Sequence, residues 1–246
     1  MEKNNGIVST LNSIYKNQLF HPKFISLFIN PFLIVRWFLL KKVKKQAPKL
    51  SGKILDFGCG QKPYKSLFVN AIEYIGVDIE NEGHNHEKED IDFYYDGKKL
   101  PFEAESFDHV FSSEVLEHVF NYAEILPEIH RVLRKDGYFL ITVPFSWEEH
   151  EVPFDNCRFT QFGIKYLLEQ QGFKIISSEK SGHFFAVICQ YFINYIREIV
   201  FSKNRYLNLL INFIFIFPFT FVFILLICIF PRKRSLYFNT VILAQK

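Results

Sequence analysis

Short apolar runs alternate with helix-forming segments through the middle of the chain. This predicts an α/β fold, a parallel sheet with helices on both faces. Three observations carry the prediction. The apolar run of Ile54, Leu55 and Phe57 stops at a turn holding Gly58 and Gly60. A second run, YIGVD, ends in the carboxylate of Asp78. Three more runs, IDFYYD, FDHVFSS and GYFLITVPF, follow with turn or helix signals between them.

The first strand and its turn say most about function. Glycine at 58 and 60 lets the backbone adopt positive φ and pass close to a ligand. An acidic side chain at the tip of the second strand, about 20 residues further on, suits a ribose hydroxyl pair. The third glycine of a dinucleotide fingerprint is missing, because Pro63 stands where it would fall. Asp56 sits two residues before Gly58. A negative charge there repels a pyrophosphate and attracts an ammonium or sulfonium group, which favours S-adenosylmethionine over a nicotinamide dinucleotide. The competing role for Asp56 is to cap the turn through its own backbone.

The totals leave room for one α/β domain with appendages in 246 residues. A net charge of +3, without a long basic tract, argues against nucleic acid as a partner. The four cysteines, Cys59, Cys157, Cys189 and Cys228, lack C-x-x-C spacing. They suit a reducing cytoplasm and neither a disulfide framework nor a zinc site. No metal site is expected. His84, His86 and Glu87 lie in so polar a loop that solvation is their expected state. No cleavable signal is expected either, since the first apolar run begins beyond residue 23 and its lysines follow it.

In chain order, residues 1–50 read as an N-terminal helical segment. Its part from Lys23 to Leu40 is apolar, broken at Asn30-Pro31 and too short for a comfortable membrane span. Lys41, Lys42, Lys44 and Lys45 follow. An apolar helix beside a polybasic patch is the pattern of a chain lying on an anionic membrane surface. A helix lidding the core fits equally well. Residues 51–200 form the expected catalytic domain. Within it, Ile125, Ile129, Val132 and Leu133 mark one helix face, with Pro127 near its start and Gly137 as its C-cap. Thr160 caps a helix with Ile164, Leu167 and Leu168 facing inward, and Gly172 ends it. Lys174 to Ser181 reads as strand six.

Residues 201–235 are expected to form a hydrophobic helical hairpin. Leu207 to Phe230 carries no charge over 24 residues, has Pro218 in its middle and is flanked by Lys203, Arg205, Arg232, Lys233 and Arg234. Basic residues at both ends put both ends on the cytoplasmic side of the membrane, so a bend at Pro218 would dip the segment into one leaflet. A buried core helix or a dimer face is the alternative. Residues 236–246 supply the last strand.

ILDFGCGQKPY, YIGVD, DGKKLPFEAESFDHVFSSEVLEHV and EIHRVLRKDGYFLITVPF, in this order and spacing, resemble the successive motifs of class I S-adenosylmethionine-dependent methyltransferases. The resemblance covers roughly Lys53 to Phe173. It implies a three-layer, Rossmann-like, mostly parallel sheet of seven strands with the last antiparallel. By the same resemblance Asp56 would face the methionine amino group, and Gly58, Cys59 and Gly60 would pass the methionine part. Asp78 and Ile79 would meet the ribose, and Asp96 and Gly97 the adenine. Ser113 and Glu114 would border the methionine end of the cofactor and the acceptor.

The segment before Thr160 is expected to meet the acceptor through Glu151, Asp155 and Arg158. An oxygen acceptor needs a base, and His150, then His118, are the candidates. The expected acceptor is a lipid-linked or surface-polysaccharide-related small molecule, reached from the cytoplasmic face. An inactive membrane-bound scaffold of the same fold, or an NAD-type oxidoreductase, are the alternatives.

Overall fold

The computed structural model describes residues 15–79 and 90–246. The loop with His84, His86 and Glu87 therefore lies outside the described residues, as do the first 14 positions. The described chain forms two units, residues 42–180 with 238–246, and residues 15–41 with 181–237. Residues 181–200, expected in the catalytic domain, group instead with the N-terminal segment.

The first unit holds the sheet. Its strands are β1 (Ser51–Phe57), β2 (Asn70–Ile79), β3 (Phe93–Tyr95), β4 (Phe107–Ser113), β5 (Leu133–Pro144), β6 (Lys174–Ser181) and β7 (Asn239–Gln245). They stand in the order β3-β2-β1-β4-β5-β7-β6. From β3 to β5 every pairing is parallel. β7 runs antiparallel to β5, with Ile242 opposite Ile141. β1 is buried from Ile54 to Phe57 with no polar alternation, as a strand covered on both faces must be.

Helix α2 (Tyr122–Val132) lays Ile125, Leu126, Ile129 and Val132 into the core, the three-to-four spacing of a single apolar face. α3 (Gln161–Gln170) begins where the Thr160 hydroxyl accepts the Gly163 N–H at 3.0 Å, as expected. Two local expectations need correction. Pro127 lies well inside α2, and the helix gives way directly to β5 at Leu133. Gly137 is therefore a strand residue and not a cap. It must be glycine because a Cβ there would stand 2.5 Å from the Asp108 carbonyl on β4.

The long helix α1 (Leu33–Gln46) carries the four lysines in its last turns. Two of the four lysines of the expected polybasic patch are engaged within the sheet unit. Lys42 and Lys45 both pair with Glu179, at 2.5 and 2.8 Å. Burial opposes ionisation of Glu179, but the two ammonium groups prevail and hold its carboxyl at about 2.

The second unit is helical. α4 (Phe184–Val200) is followed by α5 (Arg205–Ile211), a π turn over Asn212–Ile216, and α6 (Phe217–Ile229). Tyr206–Ile229 is thus one run of helix, 24 residues long and apolar enough to cross a bilayer by length and composition, with only 22% of its apolar window buried. The expected reversal of the chain at Pro218 does not occur, because helix continues through it. Pro218 falls in the first turn of α6, where a missing N–H leaves nothing unpaired, and the π turn before it absorbs the mismatch.

The chain turns back earlier, at residues 201–204, where the Asn204 side chain caps α5 through the N–H groups of Tyr206 and Leu207. The arms then run antiparallel. Phe185 stacks on Phe230 at 4.3 Å, and Phe192 meets Phe219 at 5.3 Å. The hairpin therefore has α4 as one arm and the uncharged run as the other.

Candidate active site

In the sheet unit the strand order reverses between β1 and β4, and open α/β sheets hold their ligands at the carboxyl ends of the strands beside such a point. A cleft of about 260 Å³ opens there. Phe57, Gly58 and Gly60 wall it from β1, Asp78 and Ile79 from β2, and Tyr95 and Gly97 from the β3 turn. Glu114, Val115, His118, Val119, Phe120, Asn121 and Glu151 complete it.

The glycine turn is built as the sequence suggests. Gly58 has φ +70°, and a Cβ there would strike Val115 at 2.4 Å. Gly60 has φ +46°, and its missing Cβ faces open space in the cleft, so a ligand can approach the backbone itself. Asp78 is held from both sides. One carboxylate oxygen accepts the Gly60 N–H and the other the Ile79 N–H, each at 2.8 Å. The Asn121 amide donates to the Gly97 carbonyl at 2.9 Å and ties the far end of the cleft together.

Several expected residues stand one layer back from the wall. Asp56 is buried and accepts the Tyr74 hydroxyl at 2.7 Å. Burial pushes its carboxyl up to about 7 against that hydrogen bond, and the nearby Asp78 charge adds to the rise. Cys59 is buried against Gly76, where a Cβ would lie 2.5 Å from its sulfur. Ser113 meets Thr142 at 2.9 Å. Asp96 accepts the N–H groups of Lys99 and Lys98, which keep its carboxyl below the usual range. It therefore shapes the turn that presents Gly97 to the cleft.

The other end of the cleft is acidic and imidazole-rich. Glu114 and Glu151 both have left-handed backbone, φ +56° and +52°, a conformation that costs a non-glycine residue about 1 kcal/mol or more and that clusters at ligand sites. The Glu114 carboxylate accepts from Thr142 at 2.7 Å and Asn239 at 2.6 Å, so β5 and β7 hold it in place.

His118 lines the cleft, whereas His150, preferred from sequence, packs edge-on against it with ring centroids 4.8 Å apart. The His118 Nδ1 lies 3.1 Å from the Phe154 carbonyl, which can only accept, so Nδ1 carries the proton and Nε2 is left as a lone pair. Burial lowers the His118 pKa despite the Glu151 carboxylate 3.7 Å away. Asp155 and Arg158 do not reach the cleft wall. They pair with each other in a two-pronged ion pair, and the Arg158 guanidinium holds the Asp155 carboxyl at about 2.

Sequence reasoning passed over Glu117. It is fully buried, and burial together with the Glu114 charge raises its carboxyl well above the ordinary range. Among the described residues, Glu117, His118 and His150 each bring a ligand atom within 4.8 Å of the others. The signal available was the paired acid and histidine in EVLEHV, but only the fold carries His150 to them. Lys62 was also passed over. It is buried, and it joins Asp92 at 2.6 Å to brace the glycine turn from behind.

Residues 55–141 match a family model described as a methyltransferase domain. Over 104 residues the chain is 35% identical to phthiotriol/phenolphthiotriol dimycocerosates methyltransferase 1 of Mycobacterium ulcerans, covering 38% of each protein. It is 31% identical over 106 residues to a fatty-acid O-methyltransferase of Mycolicibacterium smegmatis, covering 39% of each. The chain thus spans about two fifths of the length of these curated relatives. In fold it is similar to the [4+2]-cyclase SpnF, with a TM-score of 0.55 at 18% identity over 84% of this chain and 81% of that one. It is also similar to phosphoethanolamine N-methyltransferase 2 of Haemonchus contortus in complex with S-adenosyl-L-methionine. There the TM-score is 0.54 at 20% identity over 94% of this chain and 60% of that one.

Proposed function

We propose that this chain is an S-adenosylmethionine-dependent methyltransferase that methylates an oxygen of a lipid or lipid-linked small molecule at a membrane, a reading supported by the match of residues 55–141 to a methyltransferase-domain model. One observation carries the reading. A single cleft runs from the Gly58, Gly60 and Asp78 cradle to Glu114, His118 and Glu151. The cofactor supplies an electrophilic methyl group on a sulfonium sulfur.

The chain's own residues do the rest. Asp78, already oriented by two backbone amides, takes the ribose hydroxyls. The open side of Gly60 admits the methionine portion, and Tyr95 and Gly97 flank the adenine. Asp78, Glu114 and Glu151 make the cleft negative, which favours a ligand with ammonium and sulfonium charges and disfavours a pyrophosphate. The NAD-type reading therefore recedes. The Nε2 lone pair of His118 is placed to accept the proton of an acceptor hydroxyl or carboxyl. His150 packs against that ring and steadies it.

Two findings support a lipid acceptor. The relatives above are named for lipid substrates. The helical unit also exposes Phe213, Ile214, Phe215, Phe219, Phe221 and Leu225, each more than two fifths exposed, a patch of the kind that marks a membrane or partner surface. At about 1.5 Å per residue the run of 24 is long enough to anchor in a bilayer. Arg232, Lys233 and Arg234 at its end favour the cytoplasmic leaflet.

The test has two arms. Calorimetric titration with S-adenosylmethionine and with NADH should give micromolar binding of the first alone, weakened at least about tenfold in Asp78→Ala. The full chain should float with anionic phospholipid vesicles and should convert an extracted lipid to a methylated product detected by mass spectrometry. Binding of the cofactor with no product from any lipid fraction would favour the inactive scaffold, since this fold also serves a cyclase.

A further inference from the structure

Glu117 has no part in the reading above, yet it is fully buried and neither carboxylate oxygen meets hydrogen-bond geometry with any other residue. Leaving a buried carboxyl group without a hydrogen bond costs about 1–3 kcal/mol or more, and such an orphan calls for a partner the chain itself does not supply. Its neighbours indicate the partner. The His118 Nε2 lies 3.8 Å from one Glu117 oxygen. His150 turns its Nδ1 to the Glu148 carbonyl at 3.3 Å, as His118 turns its own to Phe154. A carbonyl only accepts, so both rings carry the proton on Nδ1 and keep Nε2 as a lone pair. Asp155 stands 3.3 Å from the His150 Nδ1, and Arg158 grips that carboxylate in turn. Imidazoles whose outer nitrogen is fixed by a carbonyl or carboxylate are the form in which histidine binds metals.

We propose that Glu117, His118 and His150 bind one divalent transition-metal cation at the acceptor end of the cleft. Two imidazoles and one carboxylate suit zinc and its first-row neighbours, and three protein ligands leave a coordination position open. Bonds of about 2.1 Å in tetrahedral geometry set ligand atoms about 3.4 Å apart. One ligand atom from each of the three side chains lies within 4.8 Å of those of the other two, so the side chains must draw in to close the site. His118 is on the cleft wall, and the open position faces the cleft with it. There it anchors an oxygen of the acceptor, and the cation replaces the free imidazole as the activating group. Binding of the cation stands by itself; only its use on an acceptor rests on the methyltransferase reading.

Cobalt(II) tests this without any turnover. The detergent-purified full chain, stripped with chelator, should take up one equivalent of Co²⁺ with a saturable visible absorption band that Zn²⁺ displaces. His118→Ala and His150→Ala should abolish the band, and Glu117→Gln should weaken uptake. Asp155→Asn should weaken it about 10–100-fold, as loss of an outer-shell partner does. Circular dichroism and S-adenosylmethionine calorimetry on the same samples report whether each variant is folded. Absence of saturable uptake by the wild-type chain overturns the proposal, as does uptake unchanged in folded His150→Ala. Cobalt uptake in a chain that binds no S-adenosylmethionine would leave the metal site standing and sink the proposed function instead.

Discussion

Asp56→Asn tests how deeply the glycine turn buries its charge. Asp56 is 3% exposed, and its folded-state carboxyl titrates at about 7 against an ordinary 3.8. Between these values the folded chain holds a proton that the unfolded chain has released. Stability from this group is therefore fully present below about 4, falls as pH rises, and is gone above about 7. A shift from 3.8 to about 7 corresponds to about 4 kcal/mol across that window. Asparagine keeps an oxygen for the Tyr74 hydroxyl but does not titrate. Its buried NH₂ lowers stability by a pH-independent amount, on the order of 1–3 kcal/mol.

The quantity to measure is thus the difference between wild type and Asp56→Asn by denaturant unfolding in detergent at several pH values from 4.5 to about 8. The variant should be the less stable protein at the acid end and should gain on wild type by about 3–4 kcal/mol toward pH 8. Parallel curves would refute the reasoning and mean that Asp56 is ionised and solvated in the folded chain.

Two further substitutions separate binding from folding. Gly60→Ala puts a methyl group into the open side of the cleft at φ +46°. It should lower stability by about 1–2 kcal/mol and weaken S-adenosylmethionine binding at least about tenfold by calorimetry, and unchanged affinity would remove Gly60 from the cofactor cradle. Thr160→Ala loses the cap of α3. It should lower stability by about 1 kcal/mol, a drop of about 2–4 °C in Tm for a chain of this size, with cofactor affinity intact.

Much of the fold was legible because it depends on neighbours along the chain. β6 spans Lys174–Ser181 as expected, and Thr160 caps α3. The glycine turn and Asp78 meet where strand order alone would bring them. What misled was local evidence for long-range facts. Gly137 looked like a cap because it follows a helix, yet the approach of β4 is what forbids a side chain. Pro218 looked like a bend because proline breaks helices, yet a π turn before it moved it to a first turn.

The site divides in the same way. The residues proposed to hold the cofactor lie at strand tips, and periodicity with turn chemistry finds strand tips. The sequence by itself therefore determined the α/β class, the cradle of Gly58, Gly60 and Asp78, and the apolar helix ahead of the last strand. Only the tertiary structure decided that Asp56 stands behind the cleft, that the helical arms turn at residues 201–204, and that Glu117 is buried beside two histidines. Burial is set by whatever packs over a residue from far along the chain, and with it go a carboxylate's charge, its partners and its chemistry.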